Sequence, residues 1–66
     1  MMIRNNVYNL MLQAVEESKS IDRIKNKYIH DAIGNDDIIA LWRDMEKQKD
    51  ENVTKLQALI KKYTAN

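Results

Sequence analysis

The 66-residue sequence has no cysteine, no proline and a single glycine, and each scarcity excludes a class of structure. Without cysteine the chain forms neither disulfides nor thiolate metal sites, so a domain this small needs packing, carboxylate-bound metal or a second chain for stability. Turns and strand ends normally recruit glycine and proline, so their scarcity favours an all-α protein. We therefore expect one helical domain spanning residues 1–66.

A strong excess of one charge is also missing. Eleven Lys and Arg stand against ten Asp and Glu, whereas a dedicated nucleic-acid binder carries a basic excess. No apolar run approaches the roughly 18 residues of a membrane span, and the N-terminus lacks the apolar core of a signal peptide. We therefore expect a cytoplasmic protein that binds neither nucleic acid nor membrane, with a second copy and an unidentified protein as its partners.

The chain does contain two stretches of apolar residues at helical spacing. The second stretch predicts one helix over residues 36–63, with a core stripe that recurs every three or four residues. Its members are Ile38, Trp42, Met45, Lys49, Asn52, Leu56, Leu59 and Tyr63. Lys49 and Asn52 interrupt the middle of this stripe, and a buried polar group needs a partner.

The first stretch predicts a helix over residues 5–33, after a frayed end at residues 1–4. Its stripe comprises Val7, Leu10, Met11, Ala14, Ile21, Ile24, Tyr28 and Ala32. Glu17 and Ser18 interrupt it in the middle, and a helix break near Ser18 and Ser20 would give a three-helix bundle instead.

A tight turn is predicted between the two helices. Gly34 readily takes a positive φ and is expected to stop the first helix. Asn35 is expected to cap the second, with Asp36 and Asp37 in its first turn, where negative charge favours the helix dipole. His30 and the pair Lys61 and Lys62 place positive charge near the two C-terminal ends in the same way.

Equal helices joined by a tight turn predict an antiparallel hairpin. Folding the chain about Gly34 brings Glu17 and Ser18 within a turn of Lys49 and Asn52, so these four residues form a predicted polar core layer. We interpret the layer as an ion pair that fixes register. Two alternatives are acid–base catalysis by Glu17 with Lys49, and a metal site of Glu17, Glu46, Asp50 and their mates in a dimer. We expect no catalytic residue, metal or cofactor.

Two helices have too little shared surface to bury both stripes. A hairpin of this size is expected to pair with a second copy into a four-helix bundle. The interface predicted for this homodimer comprises Met11, Ala14, Ile39, Trp42, Val53 and Ile60.

Three runs of the sequence resemble a helix pair of the ferritin-like superfamily, of the rubrerythrin type. They are Ala14 through Glu17 to Tyr28 and Ala32, then residues 39–46, then residues 50–56. In that family a mid-helix Glu and a Glu-x-x-His motif form half of a di-iron centre. Glu17 matches the first Glu, but Lys49 and Asn52 stand where the second Glu and the His would be. The resemblance therefore implies a metal-free half bundle, without oxidase or iron-storage activity.

These features predict a non-enzymatic helical protein that acts through homodimerisation and protein–protein interaction. Two alternatives remain. The first is RNA binding by a dimeric hairpin, an architecture that resembles plasmid copy-number regulators, with Lys19, Arg23 and Lys27 forming a row that could follow phosphates. The second is a ferritin-like protein that binds metal through carboxylates.

Overall fold

The computed structural model describes residues 5–65 and is all-α, with two helices in that part of the chain. The first helix comprises α1 (Asn5–Arg23), a π-helical segment (Ile24–Tyr28) and α2 (Ile29–Asp31). The second helix is α3 (Asp36–Thr64). Both helices were predicted from the sequence to within about two residues at each end. The expected frayed end at residues 1–4 lies outside the described residues.

The first helix is continuous, so the three-helix alternative is wrong. Ser18 and Ser20 both lie inside α1. Backbone angles stay helical through the junctions, with φ −62° and ψ −42° at Arg23 and φ −67° and ψ −44° at Tyr28. Serine is tolerated inside a helix when packing favours it.

The π-helical segment changes which residues face the second helix. The N–H of Ile29 donates to the carbonyl of Ile24, five residues earlier. In an unbroken α-helix, residues eight apart differ by about 80° around the axis, so Ala32 would turn away from Ile24. The π turn takes up one additional residue. Ile24 and Ala32 are consequently both buried, whereas Asp31 is exposed.

The turn between the helices has the predicted position. Gly34 adopts a φ of +96°, and the N–H of Asn35 donates to the carbonyl of Ala32 at 2.9 Å. Asn35 occupies the N-cap position of α3, but its side chain makes no capping hydrogen bond within the described residues. Instead, Oδ1 of Asp37 accepts a hydrogen bond from the N–H of Ile38 at 2.9 Å.

The second helix buries only half of the predicted core stripe, since Trp42, Met45, Lys49 and Leu56 are partly buried. The partly buried line, here called the inner seam, comprises Ile39, Trp42, Glu46, Lys49, Val53, Leu56 and Ile60. Ile38, Asn52, Leu59 and Tyr63 of the predicted stripe are exposed instead. Together with Leu41 and Met45, these four residues form a neighbouring line, here called the outer seam. Apolar residues are consecutive at Ile38–Ile39 and at Leu59–Ile60, so both lines have the spacing of a core stripe.

The first helix contributes a matching line. Its members, here called the first-helix seam, are Val7, Leu10, Ala14, Glu17, Ile21, Ile24 and Tyr28. Like the inner seam, this line alternates steps of three and four residues, the heptad spacing of coiled coils. The core is thin, and among residues 5–65 the buried apolar side chains are Val7, Ile21, Ile24 and Ala32. No helix of residues 5–65 is both long and apolar enough to cross a membrane.

Candidate functional site

An ion pair lies near the middle of the contact between the two helices. Nζ of Lys49 donates to Oε2 of Glu17 at 3.3 Å, and the side chains are 23% and 13% exposed, respectively. The other carboxylate oxygen, Oε1 of Glu17, accepts a hydrogen bond from Nε2 of Gln13 at 3.1 Å. Each oxygen of this partly buried carboxylate therefore has a donor, as a buried polar group requires.

A second ion pair lies one helical turn away. Nζ of Lys25 is 3.8 Å from Oε2 of Glu46, whose side chain is 23% exposed. Glu46 belongs to the inner seam, three residues before Lys49. With Glu17 and Lys49, this pair makes the middle of the helix contact electrically balanced. From the sequence, Glu46 is expected only as a possible metal ligand, although its spacing from Trp42 and Lys49 is that of a seam residue.

Two of the four residues predicted for the polar core layer lie elsewhere. Ser18 and Asn52 are exposed, so within one chain the layer consists of Glu17 and Lys49. Asn52 misses the layer because it belongs to the outer seam, which does not face the first helix. Among residues 5–65, no group of three or more Asp, Glu or His side chains is placed to hold a metal ion.

The residues predicted for a dimer interface are mostly used within the chain. Ala14, Ile39, Trp42, Val53 and Ile60 are already partly buried in the single chain, and Met11 is exposed. The Tyr28 ring centroid is 4.9 Å from that of Trp42, with the ring planes tilted by 38°. Trp42, Lys49 and Leu56 of the predicted core stripe thus keep that place. Three residues predicted for the dimer interface, Ile39, Val53 and Ile60, take the places predicted for Ile38, Asn52 and Leu59.

Two surfaces of residues 5–65 carry mostly exposed apolar side chains. One is the outer seam, in which Leu41 is 54% and Leu59 43% exposed. The other lies on α1 and is here called the α1 stripe; its members are Tyr8, Met11, Leu12 and Val15.

A groove of about 590 Å³ opens beside one end of the outer seam. Asn6, Asn9 and Gln13 of α1 line one wall, and Leu59 and Tyr63 of α3 line the other. The groove therefore combines an amide-rich wall with an apolar one. Neither wall includes a carboxylate or a cationic side chain.

The basic row considered for RNA lies on the first helix. Lys19 is 3.9 Å from Glu16, and both side chains are more than half exposed. Arg23 and Lys27 are exposed, and the π-helical segment begins directly after Arg23. An exposed row of this kind is also typical of a solvated helix face.

Comparison of the chain with protein-family models, with curated proteins and with solved structures found no match. Function must therefore be inferred from the side chains themselves.

Proposed function

We propose that the chain is an antiparallel helical hairpin that pairs with a second copy into a four-helix bundle, and that it acts without catalysis, through homodimerisation and protein–protein interaction. The contacts between the helices support the antiparallel arrangement. Glu17 contacts Lys49, whereas Tyr28, which is later in the first helix, contacts Trp42, which is earlier in the second.

Matching the two seams in opposite order gives regular layers across the hairpin. With Glu17 opposite Lys49, Val7 lies opposite Ile60 at the open end. Near the turn, past the π-helical segment, the Tyr28 ring packs against that of Trp42. Steps of three on one helix then face steps of four on the other, as in antiparallel coiled coils. The hairpin is thus a two-stranded coil whose middle layers hold two ion pairs, Glu17 with Lys49 and Lys25 with Glu46.

The main support for the proposed homodimer is the large exposed surface area of the single chain. The chain exposes 5442 Å², whereas a compact monomer of 7.8 kDa exposes about 4,400 Å². The surplus, about 1,000 Å², is comparable to the roughly 800 Å² that each partner buries in a standard interface. The radius of gyration of 15.0 Å, against about 11 Å for a compact domain of this length, reflects the same elongated shape. A second copy would cover the surplus.

The α1 stripe supports the second part of the proposal, binding of another protein. Tyr8, Met11, Leu12 and Val15 stand at positions i, i+3, i+4 and i+7, the spacing of the anchors that a helix inserts into a hydrophobic groove. The partner that fits this stripe is a protein with an apolar groove wide enough for one helix.

The likeness to a metal-free half of a ferritin-like bundle belongs to the same proposal. Its support is the 3.3 Å contact of the Lys49 ammonium with Glu17, since a cation fixed there neutralises the carboxylate in place of a metal. The exposed position of Asn52 does not support the second half of that correspondence.

Sedimentation equilibrium tests the dimer. We expect a species of about twice the chain mass of 7.8 kDa at micromolar concentration, and a melting temperature that rises with protein concentration because dissociation accompanies unfolding. A well-folded monomer with a melting temperature independent of concentration would overturn the proposal.

Site-specific photo-crosslinking in the source cells tests the partner. A photoreactive residue in place of Leu12 should give a discrete adduct heavier than the homodimer, and Met11→Glu in the same chain should abolish it. The same residue in place of Lys47, which is exposed on α3, is the control. Equal adducts from Leu12 and Lys47, or none from either, would contradict a role for the α1 stripe.

A further inference from the structure

We infer that the outer seam of α3 is the surface that binds the second copy, with the two α3 helices antiparallel about a two-fold axis at the level of Asp50, midway between Leu41 and Leu59. This inference rests on the proposed homodimer and specifies its interface. It differs from the interface predicted from sequence, because five of those six residues already pack within the chain.

The outer seam is long and self-complementary. Aligned antiparallel, Leu41 of one chain lies opposite Leu59 of the second copy, and Ile38 lies opposite Tyr63. All four are exposed on the single chain. A two-fold axis repeats each of these contacts, as an isologous interface requires.

The centre of this pairing is polar in a way that fixes the register. Gln48 lies on the same face of α3, between Met45 and Asn52, and its Nε2 donates to Oδ2 of Asp44 in its own chain. In this alignment it lies opposite Asn52 of the second copy, and each amide has a further donor or acceptor for that contact. Both residues are exposed on the single chain. A polar residue in an otherwise apolar seam selects one register at some cost in stability. This accounts for an asparagine in the middle of an apolar line.

Charges beside the outer seam favour the antiparallel direction. The same alignment sets Asp37 near Lys62 of the second copy, and Asp44 near Lys55. A parallel pairing in register would instead set each of these charges against its own copy, and like charges opposed across an interface are unfavourable. The acidic first half and basic second half of α3 therefore discriminate between the two directions.

The groove beside Leu59 and Tyr63 lies where the start of α3 of the second copy would arrive. Its volume of about 590 Å³ leaves room for Ile38 of that copy against the apolar wall. The α1 stripe lies on the other side of α1, because Met11 and Gln13 are two residues and so about 160° apart around the helix. That stripe covers two turns, whereas the outer seam extends along most of α3.

Single cysteines test the pairing directly, because the chain has no cysteine of its own. Leu41→Cys and Leu59→Cys are each made alone, and disulfide formation is followed under mild oxidation. Neither variant should crosslink to itself, since the two equivalent positions are about 27 Å apart along the helices. Their equimolar mixture, after subunit exchange, should crosslink about half of the chains, the share expected in mixed dimers.

The other outcomes are distinguishable. Self-crosslinking of each variant would mean a parallel dimer and would overturn the inference. In another outcome, the chain sediments as a dimer while the mixture of Leu41→Cys and Leu59→Cys gives no crosslink and Leu12→Cys crosslinks to itself. That result would overturn the inferred interface in favour of the α1 stripe, and the proposed homodimer would stand. A monomer in sedimentation for the unmodified chain would overturn the proposed function itself.

A charge variant gives an independent measurement. Asn52→Glu sets two carboxylates beside the two-fold axis, so the dimer dissociation constant should rise about tenfold or more. Asn52 is exposed in the single chain, so the helical content should be unchanged. Asn26→Glu, at an exposed position of the first helix, is the control and should leave dimerisation unchanged. Equal effects of the two variants would contradict the inferred interface.

Discussion

The ammonium group of Lys49 lies 3.3 Å from a carboxylate oxygen of Glu17, and this contact joins the two helices within an otherwise mainly apolar seam. Both side chains are partly buried, so removing one partner leaves the other charge without an ion-pair partner and incompletely solvated. Replacing both charges by apolar groups removes that cost, because the desolvation penalty of an ion pair can exceed its attraction.

Lys49→Met should therefore lower the free energy of unfolding by about 2 kcal/mol, the cost of leaving a partly buried polar group unpaired. The double variant Glu17→Leu with Lys49→Met should be neutral or more stable than the unmodified chain. Urea unfolding at a fixed protein concentration measures both.

Lys19→Met is the matched control, since Lys19 pairs with Glu16 at 3.9 Å on the surface. Its cost should stay under about 0.5 kcal/mol, as for exposed pairs. Equal losses for the two Lys→Met variants would show that the Glu17 layer behaves like exposed surface.

Deletion of Asn26 should convert the π-helical segment into ordinary α-helix. Asn26 is exposed in the middle of that segment, and its removal leaves Ile24, Tyr28 and Ala32 at spacings of three and four. The seam would thus be retained, and we expect a loss of under about 1 kcal/mol, as for changes that retain the core. Circular dichroism during thermal unfolding measures it.

Deletion of Glu16 is the comparison, because Glu16 is also exposed but lies within regular α-helix. Every seam residue on one side of the deletion would rotate by about 100° relative to the other side. The chain should then lose cooperative unfolding. Comparable stability of the two deletion variants would contradict the role assigned to the π turn.

The ring contact between Tyr28 and Trp42 should appear as a coupling energy. A double-mutant cycle with Tyr28→Leu and Trp42→Leu should give about 0.5 to 1.5 kcal/mol, the range for tilted aromatic pairs. Pairing Trp42→Leu with Tyr63→Leu, whose ring lies near the opposite end of α3, should give coupling near zero. A coupling of zero for both cycles would mean that the two rings contribute separately.

Gly34→Ala should destabilise the turn through the backbone alone. Gly34 has a φ of +96°, and a Cβ built there meets no atom of the described residues within 4 Å. The cost should be about 1 to 2 kcal/mol, and Gly34→Asn should cost less because asparagine tolerates positive φ better. Thermal unfolding ranks the two variants; equal costs would point to a contact rather than to backbone strain.

The helices and the turn could be predicted because local signals specify them. Apolar spacing indicated both helices, and Gly34 followed by Asn35 marked the turn. The face of α3 could be predicted only in part, because Ile38–Ile39, Asn52–Val53 and Leu59–Ile60 give two neighbouring lines of equal period. Which of the two lines is buried depends on where the first helix packs. The spacing of apolar residues within α3 carries no information about that position.

The candidate site could be predicted in part for the same reason. Folding about Gly34 brought Glu17 near Lys49, because the two residues are separated from the turn by similar numbers of residues. Their level along the helices depends only on that number. Whether Asn52 reaches the polar core layer depends on which face of α3 packs against the first helix. Asn52 is exposed, so its assignment to that layer was wrong. The π turn has no marker in Ile24–Tyr28, because exposed Lys25, Asn26 and Lys27 are equally compatible with α-helix.

The four-residue turn from Ala32 to Asn35 also determines the order in which the hairpin closes. Bringing Tyr28 to Trp42 encloses about thirteen residues of chain, whereas bringing Val7 to Ile60 encloses about fifty, and the entropy lost grows with loop length. Each layer formed near the turn shortens the loop that the next one must close. Folding should therefore proceed as a zipper from the Tyr28 and Trp42 rings, and amide hydrogens near Val7 and Ile60 should exchange first when the native protein opens.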